Sequence, residues 1–113
     1  MDKLTRYRSL VKRLFLEYSA LMRQNPPPGV ETGCAIDEER DQFLLVKSGW
    51  QGNRRVRHIA LHVRLKDDKI WVEEDWLEDG IATDLVREGV PKEDIVLAFH
   101  PPDVRRLTDY AVA

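Results

Sequence analysis

The chain has 113 residues and 13.2 kDa, with 18 basic against 20 acidic side chains and a net charge of −2. That is one domain (residues 1–113) with a modest core, and 42% hydrophobic with 34% charged residues excludes a disordered chain. The lone Cys34 excludes an internal disulfide and a multi-cysteine zinc site; without a membrane span or a leader pattern, a soluble cytoplasmic protein is expected.

Residues 3–23 form the strongest helical pattern. Leu4, Tyr7, Val11, Leu14, Phe15, Tyr18, Leu21 and Met22 recur at three- and four-residue steps and make one apolar stripe. Asp2 suits the N-cap, and Asn25 before Pro26-Pro27-Pro28 stops the helix, since a residue preceding proline leaves the α region. From Val30 the pattern turns extended. Residues 30–38, 41–50, 54–66 and 69–76 read as four strands, with hairpin turns at Gln51-Gly52-Asn53 and Asp67-Asp68. Short links imply antiparallel neighbours, hence a meander.

In the third strand Ile59, Leu61, Val63 and Leu65 share the expected core face. The second strand is apolar on both faces, with Phe43 and Leu45 on one and Leu44 and Val46 on the other. One helix cannot cover both sides of such a strand, so self-association, as a symmetric dimer, is expected. Residues 80–88 form a helix closed by Gly89. Ile95-Val96-Leu97-Ala98-Phe99 is expected as a short buried strand, and residues 102–111 as a final helix with Val104, Leu107 and Tyr110 inward. The fold class is therefore α+β: an N-terminal helix on an antiparallel meander of about four strands, with short C-terminal helices.

Charge is distributed unevenly along this order. Residues 1–23 carry six basic and two acidic groups, residues 24–66 seven and five, and residues 67–113 five and thirteen. A basic first half beside an acidic second half predicts internal complementarity, or an oligomer in which the halves meet.

Few residues point to chemistry. His58 and His62 on a strand lie about 13 Å apart, too far to share a metal; His100, before two prolines, is expected to fix a loop. Cys34 reads as core filler. No nucleotide-binding glycine pattern or nucleophile elbow occurs, so no catalytic residue, cofactor or metal is assigned and no enzyme is expected. Two surfaces remain. Glu73, Glu74, Asp75, Trp76, Glu78 and Asp79 make an acidic segment with an aromatic anchor, suited to docking a partner protein. Arg54, Arg55, Arg57 and Arg64, near Trp50, are the candidate nucleic-acid contacts, although the acidic balance argues for weak or absent direct DNA binding.

Several stretches resemble the XisI family of fdxN-element excision controlling factors, known chiefly from cyanobacteria. They are Tyr7-Arg8, Asp37-Glu38-Glu39-Arg40-Asp41, Gly49-Trp50-Gln51-Gly52, Arg54-Arg55-Val56, His62 and Lys69-Ile70-Trp71. The longest block is Gly80-Ile81-Ala82-Thr83-Asp84-Leu85-Val86, followed by Gly89-Val90-Pro91-Lys92-Glu93-Asp94 and on to His100. The proline-rich connector Asn25-Pro26-Pro27-Pro28 departs from that pattern. The resemblance implies a small α+β regulatory protein that controls excision of a DNA element together with a XisH-type companion. It supplies no catalytic residues. Direct DNA binding and partnership with, or inhibition of, a nuclease-like companion are its alternative readings.

Overall fold

One helix lies across one face of one sheet. The computed structural model describes residues 2–113. Helix α1 spans Lys3–Gln24 and opens as its cap chemistry dictates, with the Asp2 carboxylate accepting the Thr5 N–H at 2.7 Å. The sheet contains β1 (Val30–Asp37), β2 (Gln42–Gln51), β3 (Arg54–Lys66), β4 (Lys69–Asp75) and β5 (Ile95–Leu97), in the spatial order β1-β2-β3-β4-β5. The first four form the antiparallel meander. β5 adds to it in parallel with β4, reached through helix α2 (Ile81–Arg87) and a 3₁₀ turn at Lys92–Asp94. The sheet is therefore mixed: the strand expected from Ile95 joins the four-stranded meander as its fifth, parallel member.

The core forms between the stripe of α1 and the facing side of the sheet. Tyr7, Val11, Leu14 and Phe15 meet Phe43, Leu45, Leu61, Val63, Ile70, Val72 and Ile95, with Ile81 and Leu85 of α2 closing one flank. Phe15 and Phe43 pack with ring centroids 5.7 Å apart. Burying each such side chain contributes about 1.5–3 kcal/mol. Helix α2 ends in a Schellman pair: Gly89, at φ 99°, donates to Val86 O and Val90 to Leu85 O, both at 3.0 Å.

Three expectations are corrected. Leu45 pairs with Leu61 but Val46 with Ile59, so Ala60 is an extra residue, a β-bulge. The bulge reverses the alternation, buries Ala60 and turns Ile59 to the opposite face at 39% exposure. The expected strand 95–99 stops at Leu97, and Phe99 emerges 43% exposed in the following turn. The final helix α3 is only Pro102–Arg105, and Leu107 is 81% exposed rather than inward.

The second face of the sheet is covered unevenly. On β4 and β5 the C-terminal residues lie against it. Arg105 donates to the carbonyls of His100, Ala98 and Val112 and sits over the Trp71 indole, 5.8 Å from its centroid. On β1–β3 none of the elements among the described residues packs extensively against it, and Leu44 and Val46 remain half-buried there.

The β1–β2 pairing closes on a backbone contact that leaves no room for a side chain. Trp50 N–H donates to Gly29 O at 2.9 Å, and a Cβ at Gly49, whose φ is 148°, would stand 1.9 Å from that same oxygen. Gly49→Ala is expected to cost more than about 2 kcal/mol, read as a fall in the urea midpoint with unchanged m-value. Equal stability would show that this approach relaxes freely.

Candidate functional site

The acidic segment leaves β4 as a sharp corner. Its residues divide by what they touch. Glu73 is the extra residue of a second bulge, where His62 opposes Glu74 and Val63 opposes Val72. Its carboxylate accepts from Arg64 Nε at 2.9 Å. The Asp75 carboxylate turns inward, accepting Leu77 N–H at 2.9 Å and Ile81 N–H at 2.8 Å, so it shapes the corner and starts α2. Burial pushes this carboxyl above its ordinary pKa despite those two hydrogen bonds. Glu74 holds the Trp76 indole N–H at 2.9 Å, while the ring itself is 70% exposed. Glu78 and Asp79 are exposed beside it.

The surface so formed contains Trp76, Phe99 and the rim of Glu74 and Asp75, lining one shallow cavity. Phe99 joins only because the chain turns outward after β5; an apolar run in sequence gives no signal of that. His58 completes the border, its ring edge-on to Trp76 at 6.4 Å. Exposed aromatics ringed by carboxylates are suited to anchoring a partner protein, with the charges setting approach and choice of partner.

The four arginines do not form one surface. Arg54, Arg55 and Arg57 lie together on the far half of β3, exposed, with Arg55 over the exposed Trp50 ring at 5.3 Å. Arg64 sits at the other end of the strand, about 23 Å from Arg57 along an extended chain, already paired with Glu73. The histidines stand apart as well. His62 Nε2 is 2.8 Å from Gln42 Oε1, and burial lowers its pKa. His100 shapes its loop through backbone groups, its carbonyl accepting from Arg105 Nε at 2.8 Å, while its ring packs at a tilt against Phe99. Among the described residues no group of three or more His, Cys, Asp or Glu side chains is placed to hold a metal ion. No helix among them is long and apolar enough to cross a membrane.

Internal charge complementarity is direct. Helix α1 is tied along its length to acidic residues from the rest of the chain. Tyr7 donates to Asp94, which also pairs with Lys3 at 2.9 Å; Arg8 grips both oxygens of Asp41 at 2.6 and 3.1 Å; Tyr18 donates to Asp84 at 2.5 Å; Arg13 pairs with Glu88. Burial and the neighbouring carboxylates push both tyrosine hydroxyls far above their ordinary pKa, so they stay protonated donors. Burial alone would raise Asp94, but the hydrogen bonds from Tyr7 and Lys3 outweigh it and hold the carboxyl below the usual range.

Comparison with known proteins agrees with this architecture. The family model "XisI protein" matches residues 1–112. A crystal structure of a XisI-like protein from Anabaena variabilis is 37% identical, with a TM-score of 0.89, covering 97% of this chain and 99% of that one. The crystal structure of fdxN element excision controlling factor XisI from the same organism is 40% identical, with a TM-score of 0.86, covering 99% and 100%. No curated protein matches the sequence.

The Tyr7–Asp94 contact has a pH signature. A depressed carboxyl contributes stability that is complete above its unfolded pKa, about 3.9, and is lost as pH falls through its lower folded value. Tyr7→Phe is expected to cost about 1.5–3 kcal/mol at pH 7. The gap between parent and variant should narrow below pH 4 in urea titrations. A gap independent of pH would mean that Asp94 gains nothing from Tyr7.

Proposed function

The chain belongs to the XisI protein family, and we propose that it acts as a non-catalytic regulatory protein, controlling excision of a DNA element through contact with a XisH-type, nuclease-like companion. The observation that carries this reading is the 70% exposed Trp76 indole, oriented by Glu74 beside Phe99 and flanked by Glu78 and Asp79. An aromatic side chain that exposed adds nothing to the core, and the carboxylates around it attract a basic surface and repel DNA.

A second copy fits a different region. Leu44, Val46 and Ile59 form an uncovered apolar strip on the far face of β2 and β3, and packing two such faces about a two-fold axis buries it. A monomer mass by light scattering at micromolar concentration would remove that symmetric dimer.

The companion reading is tested by association. Trp76→Ala is expected to weaken binding to the companion about thirtyfold, the equivalent of a 2 kcal/mol anchor. Glu74→Lys with Glu78→Lys should mainly slow association, and 0.5 M salt should erase most of the parent's advantage. A complex that buries another face, or tight DNA binding by this chain alone at physiological salt, would overturn the reading.

A further inference from the structure

The sheet has an open backbone edge in its middle. β4 ends at Asp75, opposite Leu61, and its continuation makes one last contact when Trp76 N–H donates to Ala60 O at 2.9 Å. β3 continues for six more residues toward its start, Arg54–Ile59, paired only with β2. Gln51 and Arg54 flank a two-residue loop and so form the hydrogen-bonded closing pair. Alternation then turns the N–H and C=O groups of Arg55, Arg57 and Ile59 away from β2, toward the side that β4 has left.

This edge is strongly marked by charge. Arg54, Arg55 and Arg57 are exposed, and among the described residues none is paired with a carboxylate. Arg55 and Arg57 share a face with Ile59, beside a shallow depression of about 310 Å³ next to Val46 and Ser48. A second copy is a poor occupant. Antiparallel pairing centred on this stretch sets Arg57 against Arg57 or Arg55 against Arg57, and like charges directly opposite destabilise a ladder. Nucleic acid is a poor occupant too: phosphates satisfy arginines and N–H groups but donate nothing to the outward carbonyls.

We infer that the Arg54–Ile59 edge of β3 receives an extended acidic segment of a partner protein by strand addition. The ladder satisfies the free backbone groups, and carboxylates at alternate positions meet Arg55 and Arg57. Read antiparallel to β3, the segment has an apolar residue against Ile59, then two acidic residues at two-residue spacing. The inference rests on the reading that the chain works through protein contact, but it names a surface of opposite charge to the Trp76 corner.

The probe is the peptide Thr-Val-Thr-Glu-Thr-Glu-Thr, titrated into the full chain with amide hydrogen exchange followed by NMR. Binding is expected to slow exchange at Arg55, Arg57 and Ile59. Affinity should fall about tenfold (1.4 kcal/mol) when lysine replaces glutamate and be lost when alternate peptide nitrogens are methylated, which removes ladder donors but keeps charge. Arg57→Ser should weaken binding and Arg57→Pro, which also removes an outward N–H that β2 does not use, should abolish it. Equal binding of the lysine or methylated peptide, unprotected amides, or displacement of the peptide by duplex DNA would overturn strand addition. Loss of peptide binding with companion association still sensitive to Trp76→Ala sinks this inference alone; the converse sinks only the acidic docking surface.

Discussion

One helix can cover one side of a sheet, and most of this molecule follows from that limit. Helix α1 has 22 residues, about 33 Å of length, and it buries the Tyr7–Phe15 stripe on one face of the meander. The opposite face is left to whatever the short C-terminal elements can reach, which is β4 and β5 through Arg105 and Trp71. The apolar strip on β2 and β3, the free half of β3 and the Trp76 corner lie beyond that cover.

Much of the frame was legible from local chemistry. The Asp2 cap, the proline stop, the two-residue turn at Asp67-Asp68 and the period-3.6 stripe each act over a few residues, and the structure places helix and hairpins accordingly. What was not legible depends on distant partners. The Ala60 bulge exists because Leu45 and Val46 keep a register that β3 must accommodate, and no residue type announces it; its result is Ile59 on the wrong side of the expected core. The parallel placement of β5 is a choice among sheet edges. The candidate surfaces were half legible for the same reason. Glu73, Glu74, Asp75 and Trp76 are neighbours in sequence, yet cross-strand pairing with Arg64 takes Glu73 out of the rim and the start of α2 occupies the Asp75 carboxylate, leaving Glu74 to hold the exposed Trp76 indole.

The motifs that carry family resemblance are largely explained as clamps. Tyr7 and Asp94 stand in two different stretches, as do Arg8 and Asp41, and in space each pair is a direct contact. Gly49 leaves room for the Gly29 carbonyl. The two pairs hold the helix to the rest of the chain and Gly49 closes β1 on β2, which makes these residues the foundation of the surfaces rather than part of them. Ser19 is the exception within α1: its hydroxyl is buried without a hydrogen-bond partner among the described residues.

The Tyr7–Asp94 contact joins residues 87 positions apart. On a ribosome adding about 5–20 residues per second, roughly 4 to 17 s pass between synthesis of the two ends of that hydrogen bond. The last strand of the meander ends at Asp75, so only for about the final 1 to 4 s of that interval are all four of its strands made while the strand and turn that fasten α1 are still missing. The newborn chain therefore presents its helix and its free β3 edge together before its last segment is complete.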